Sequence, residues 1–201
     1  GITKVTMLGK VTKELLFTGK IQPDAMLQGL LMQLPNQNDD TIMMMFVGAL
    51  MKEGITPLDQ TALIRPLMPE AGVLTRRAPN EAEHSDMVFG LDVARALGQL
   101  DIGQTAVVKA RAVMALEAIE GTDACIRRGG ALAGSGAVVA KAAKPQQDNR
   151  FDVPAVGLDT IESLIAAKAS ALVIEAGKTL FIDRERAIAL AEANGITIAA
   201  M

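Results

Sequence analysis

From residue 86 to the end of the chain, apolar runs of strand length alternate with helical patterns, and glycines or prolines close most of them. That rhythm restricts the chain to the α/β class, because each kind of run buries its apolar side against the other. Asp86 starts a helix through Val88, Leu91, Ala94 and Leu97 that Gly98 stops. Residues 105–109 and 112–117 read as paired strands around a tight turn at Ala110-Arg111, although neither turn residue favours positive φ. A short helix over 122–128, a strand over 137–140, a helix over 160–169, strands over 171–175 and 179–182, and a last helix over 184–193 complete the pattern.

The N-terminal part follows the same class with fewer elements. Residues 1–9 read as a short buried strand (Val5-Thr-Met-Leu8) ending at Gly9, and Asp24 caps a helix through Leu27, Leu30, Leu31 and Leu34 that Pro35 ends. Asp39 and Asp40 precede a second helix over 42–52, closed by Gly54. Pro57, Pro66 and Pro69 break every periodic run between 55 and 75, and the polar stretch 76–85, with Pro79, reads as a linker or exposed loop. Two units are therefore expected, a partial one over 1–80 and a complete one over 86–201.

Charge and composition remove several function classes. A net charge of -3 with no long Lys/Arg run lacks the basic field of a nucleic-acid binder. With no Trp, no Tyr and five Phe, the chain also lacks aromatic platforms for stacked bases. One cysteine, Cys125, cannot form an internal disulfide, which fits a reducing compartment. The most apolar helix, over 42–51, falls short of the roughly 20 residues that span a bilayer, and the N-terminus has no signal-peptide pattern.

The polar chemistry gathers in two short segments, Glu117-Ala-Ile-Glu-Gly-Thr-Asp-Ala124 and Lys141-Ala-Ala-Lys-Pro-Gln-Gln-Asp-Asn-Arg-Phe-Asp-Val-Pro154. In the first, Gly121 permits a sharp turn and Thr122 can cap the next helix, whose first amides attract an anion; a plain capped helix start is the other reading. In the second, Asp148, Arg150 and Asp152 alternate, so an extended chain would point all three to one face, whereas a solvated loop would pair them with each other. Glu117, Glu120, Asp123, Asp148 and Asp152 are candidate metal ligands or bases, and Lys141, Lys144 and Arg150 candidate clamps for phosphate oxygens. His84 reads as a solvated residue, and Met43-Met-Met45 as helix core or as a contact for acyl chains.

Taken together, Gln99-Leu-Asp-Ile-Gly-Gln104, the two polar segments and Glu175-Ala-Gly177 closely resemble the UDP-2,3-diacylglucosamine pyrophosphatase family of the LpxI type. Gly9-Lys10, Asp39-Asp40 and Gly72-Val-Leu-Thr75 fit as well, so the resemblance covers essentially the whole chain. It implies a cytoplasmic enzyme of lipid A biosynthesis, peripheral on the inner membrane, that splits UDP-2,3-diacylglucosamine into UMP and 2,3-diacylglucosamine 1-phosphate with Mg²⁺. Water would attack the phosphorus on the sugar side. On this resemblance Asp152 and Asp123 are the catalytic candidates, the metal set is Asp152, Asp123, Glu120 and Asp148, and Lys141, Lys144, Arg150, Gln104 and Thr122 would bind substrate. The expected fold is two small α/β domains, the N-terminal one Rossmann-like and partial, the C-terminal one with a mixed sheet.

Family members usually open with a glycine-rich βα segment to which nothing in this sequence corresponds, and Arg111 and Ala143 replace a frequent glycine and proline. Cys125 stands where a larger apolar residue is common, as suits an inert buried thiol. Two other classes remain open on the residues alone. One is a non-catalytic module binding a sugar nucleotide or phospholipid; the other is an oligomer subunit, such as a homodimer, pairing through an exposed strand edge of the N-terminal unit.

Overall fold

A computed structural model describes residues 1–8, 23–34 and 39–201. Gly9, Lys10 and Pro35, invoked above, lie outside the described residues. The chain divides into one unit of Gly1–Ala62 with Asp148–Asp152, and a second of Leu63–Gln147 with Val153–Met201.

In the first unit, β1 (Lys4–Val5) pairs in parallel with β2 (Thr56–Pro57), and the helices are α1 (Ala25–Leu31) and α2 (Asp39–Lys52). Asp24 caps α1, its carboxylate accepting the Leu27 N–H at 2.8 Å, and Gly54 leaves α2 at φ +73°. The opening strand is not buried as expected: Val5 is half-buried and Leu8 65% exposed, because two-residue β1 has only β2 beside it among the described residues. Nor do the methionines fill a helix core, since Met44 is 47% exposed and Met43 and Met45 are half-buried. The proline-broken stretch holds only single-turn α3 (Thr61–Ile64), a 3-10 turn (Arg65–Leu67) and β3 (Gly72–Val73) besides β2.

The second unit is built on a six-stranded mixed sheet ordered β3-β10-β8-β6-β4-β5, with β4 at Thr105–Lys109, β5 at Ala112–Leu116, β6 at Val138–Lys141, β8 at Ala171–Ile174 and β10 at Thr197–Ala200. Strands β6, β8 and β10 run parallel; β3 and β4 lie antiparallel to their neighbours, and β5 to β4. A separate parallel pair joins β7 (Ala155–Val156) to β9 (Leu180–Phe181). Helix α4 (Glu81–Gln99) covers one face of the large sheet, and α5 (Thr122–Ala133), α6 (Leu158–Ala166) and α7 (Arg184–Ala193) the other.

Strand alternation assigns the side chains to two cores. Ala106, Val108, Val138, Ala140, Ala171, Val173 and Ala199 meet α4, whereas Val107, Val139, Leu172, Ile174 and Ile198 meet the other three helices. The side toward α4 is rich in alanine, so that helix sits close: a Cβ on Gly90 would lie 2.8 Å from the Ala140 Cβ. On the other face α5 continues through Gly129 and Gly130 to Ala133 instead of stopping at Arg128, because those glycines let it approach β4 and α6. A Cβ there would lie 2.5 Å from Val107 and 2.4 Å from Ala167.

Helix α4 starts at Glu81, five residues before the expected Asp86, since Asn80 and Glu83 form a capping box. Burial pushes the Glu83 carboxyl up, but the Arg77 fork at 2.8 and 2.9 Å and the Asn80 N–H hold it net below its ordinary value. Asp86, freed from capping, reaches across to the hairpin. Its carboxylate accepts the N–H groups of Ala110 (2.8 Å) and Arg111 (2.6 Å), the two turn residues that stand at φ +51° and +55°.

Candidate functional site

The carboxyl end of an open parallel sheet is where such folds place ligands, because helix and loop starts leave a crevice there. In the second unit Lys141 ends β6, Glu175 follows β8, Thr105 opens β4 opposite Lys141, and Glu117 follows β5. These polar residues from four strands therefore share one end of the sheet. Among the described residues, three buried side-chain atoms have no hydrogen-bond partner, and two of them, Gln104 Oε1 and Gln147 Nε2, sit in loops at this same end. Leaving such a group unmatched costs about 1–3 kcal/mol, so a polar ligand or water belongs beside it.

Lys141 and Glu117 are both buried, 6% and 7% exposed, and Thr122 links them. Its Oγ1 donates to Glu117 Oε1 at 3.0 Å and accepts from Lys141 Nζ at 3.0 Å. Lys141 Nζ also donates to the Ala155 carbonyl at 3.0 Å, and Glu117 Oε2 accepts the Gln104 N–H at 3.3 Å. Thr122 is not the N-cap expected of it: Gly121, at φ +81°, occupies that position without a side-chain cap, and Thr122 begins the helix. Gly103 makes the neighbouring approach possible, since a Cβ there would fall 2.3 Å from the Glu117 carbonyl oxygen.

Glu175 organises the loop after β6. Burial raises its carboxyl, but the Ala143 N–H at 2.7 Å, Arg95 Nε at 2.9 Å and Lys178 at 3.4 Å bring it net below the ordinary range. In the same loop Lys144 pairs with Asp101 at 2.7 Å, and Gln146 Nε2 donates to the Gly98 carbonyl. Glu120 is exposed and bound to Arg128 and to the Ala118 N–H, which lower its carboxyl. Asp123 stands half-buried in the first turn of α5. Cys125 is fully buried, with its thiol pushed up to about 12 by burial and the nearby Glu117 charge, so it is inert as expected.

Asp148, Arg150 and Asp152 belong to the first unit. Of the two readings the self-paired loop holds, not the extended run: residues 149–151 make a tight turn in which the Asp148 carbonyl accepts the N–H groups of Phe151 (3.1 Å) and Asp152 (2.9 Å). The turn wins because the Asp148 carboxylate also accepts the Arg150 N–H at 3.0 Å and its guanidinium at 2.5–3.1 Å. That guanidinium holds the Asp148 carboxyl below its usual value. Arg150 Nη2 also meets Met44 Sδ at 3.4 Å, and Asp152 is half-buried. His84 is exposed on α4, away from both groups of residues in sequence and in role.

Among the described residues no three His, Cys, Asp or Glu side chains lie close enough together to hold a metal ion. Magnesium does not require such a cage, being bound commonly by one or two carboxylates with phosphate oxygens and water. Of the expected set, Glu120 is ion-paired to Arg128 and Asp148 to Arg150. Asp86 and Asp101 act on residues 24 to 43 positions away, pairings that no local sequence pattern signals.

The family model for the LpxI N-terminal domain matches residues 1–67, and that for the LpxI C-terminal domain matches residues 70–199. A curated relative from Caulobacter vibrioides, UDP-2,3-diacylglucosamine pyrophosphatase LpxI, is 36% identical over 170 residues. The match covers 81% of this chain, which spans 61% of the relative's length. No helix among the described residues is long and apolar enough to cross a membrane. With both domain models matched in order along the sequence, the chain belongs to the LpxI family.

Proposed function

We propose that this protein hydrolyses the pyrophosphate bond of UDP-2,3-diacylglucosamine, giving UMP and 2,3-diacylglucosamine 1-phosphate in lipid A biosynthesis. The observation that carries the reading is membership in the LpxI family together with a relative bearing that activity in its name. The polar end of the second unit's sheet supports it chemically, because phosphoryl transfer needs positioned groups and charge neutralisation more than covalent chemistry from the protein.

In this reading Asp152 orients the water that attacks the sugar-side phosphorus; the bond from that phosphorus to the bridging oxygen breaks, and UMP leaves with that oxygen. Mg²⁺, for which Asp152 and Asp123 are each candidate ligands, would when bound neutralise charge on the phosphate oxygens. Lys144 and Arg150, already ion-paired to Asp101 and Asp148, are the cations assigned to phosphate oxygens, and the buried Gln104 Oε1 is an acceptor for a substrate donor. Ile2, Leu8, Met26 and Met32 of the first unit are 62–84% exposed, which favours contact with acyl chains at the cytoplasmic face of the inner membrane. A homodimer through the first unit's short strand pair is a further proposal, checked by light scattering across dilution.

The test is UMP release from UDP-2,3-diacylglucosamine and Mg²⁺ by the purified protein, and its loss in Asp152→Ala with an unchanged circular dichroism spectrum. Full activity in that variant would remove Asp152 from the mechanism. Substrate binding without turnover in the unmodified protein would favour a binding module instead.

A further inference from the structure

We propose that Thr122 is a positioning residue whose hydroxyl couples buried Lys141 to buried Glu117 and thereby fixes the first turn of α5, on which Asp123 stands. A threonine hydroxyl has one hydrogen and two lone pairs, an ammonium only donates and a carboxylate only accepts. The order is therefore fixed: Lys141 donates to Thr122 Oγ1, and Thr122 donates to Glu117 Oε1, each at 3.0 Å. Thr105 Oγ1, fully buried, stands 3.5 Å from Thr122 Oγ1.

The arrangement needs this hydroxyl for two reasons. Both charges are more than nine-tenths buried, where an ionised group depends on its hydrogen-bond partners. The helix that starts here has a glycine at its N-cap and no side-chain cap, so Thr122 ties its first turn to the ends of β5 and β6. Lys141 and Thr122, both expected to bind substrate, thus support the site by holding α5 in place, and Glu117 joins them by its contacts with Thr122 and Gln104.

The kinetic consequence rests on the hydrolase reading, whereas the structural one does not, and the experiment reads both on the full chain. Thr122→Val keeps the shape and removes the hydroxyl; Thr122→Ser restores it. In the valine variant kcat should fall roughly 10- to 100-fold with KM little changed, as is usual for groups supporting a metal or reacting centre. Exchange of the Cys125 amide, which makes the first helical bond to the Gly121 carbonyl, should quicken about tenfold. Serine should return both to near their original values. Unchanged exchange in the valine variant, failure of serine to rescue, or altered exchange with unchanged kcat would overturn the proposal. If the unmodified protein has no turnover, the hydrolase reading fails alone and the exchange arm still decides the hydroxyl's role. Should the valine variant not fold, Glu117→Met, which keeps the side-chain length and removes the acceptor of the Thr122 hydroxyl, must quicken the same exchange or the inference fails.

Discussion

Replacing Asp86 with alanine should destabilise the second unit by about 2–4 kcal/mol, although the residue lies far in sequence from the turn it holds. Its carboxylate accepts two turn amides, at 2.8 and 2.6 Å, and hydrogen bonds to a charged group contribute roughly 1.5–3 kcal/mol each. Ala110 and Arg111 are exposed, so water can rebind the freed N–H groups, which brings the loss down to the bottom of that sum or just below it. The turn also holds two non-glycine residues at positive φ, a conformation costing about 1–2 kcal/mol per residue. Arg111→Gly should therefore stabilise by about 1 kcal/mol, and it should reduce the damage done by Asp86→Ala, because less strain then needs the clamp. Amide exchange along β4 and β5, with urea unfolding of the four proteins of the cycle, measures both effects. An Asp86→Ala loss below about 0.5 kcal/mol, the range of ordinary surface changes, would refute the reasoning.

The same substitution should have opposite signs at different glycines. Gly129→Ala and Gly130→Ala place a Cβ within 2.5 Å of Val107 and Ala167, so overpacking of about 1–3 kcal/mol should exceed the helix-propensity gain of about 1 kcal/mol. Gly48→Ala in α2 meets nothing within 4 Å and should stabilise its helix by up to about 1 kcal/mol in thermal unfolding. Glu175, whose carboxyl lies net below its ordinary value, contributes stability that is present above the unfolded value near pH ~4.3 and is lost as pH falls through the lower folded value. Acid titration of stability should therefore be less steep in Glu175→Gln than in the unmodified protein, and equal slopes would contradict that assignment.

What the sequence exposed was periodic and local. The alternation of strands and helices, the Asp24 cap, the glycine after α2, the hairpin and the last helix over 184–193 all depend on neighbours within a few residues, and the structure has them. The Asn80-x-x-Glu83 capping box is also local, but its polar setting resembles a linker, so the sequence pattern places the start of α4 five residues late. Gly129-Gly130 reads as a helix stop unless the positions of Val107 and Ala167 are known, and those depend on the fold. Strands β3, β7 and β10 are two to four residues long and take their partners from distant segments, as with β10, which lies between β3 and β8. In the site, residue types and motif order were legible, but pairings were not. Alternation at Asp148, Arg150 and Asp152 suggested a shared face, while the Asp148 side chain and carbonyl draw the segment into a turn.

The hydrolase account is tested most directly by following UDP-2,3-diacylglucosamine with the protein and Mg²⁺ in ¹⁸O-labelled water by ³¹P NMR. It predicts resonances of UMP and 2,3-diacylglucosamine 1-phosphate, with the label in the sugar phosphate. Label in UMP would contradict attack at the sugar-side phosphorus, and an unchanged substrate spectrum would contradict the activity itself.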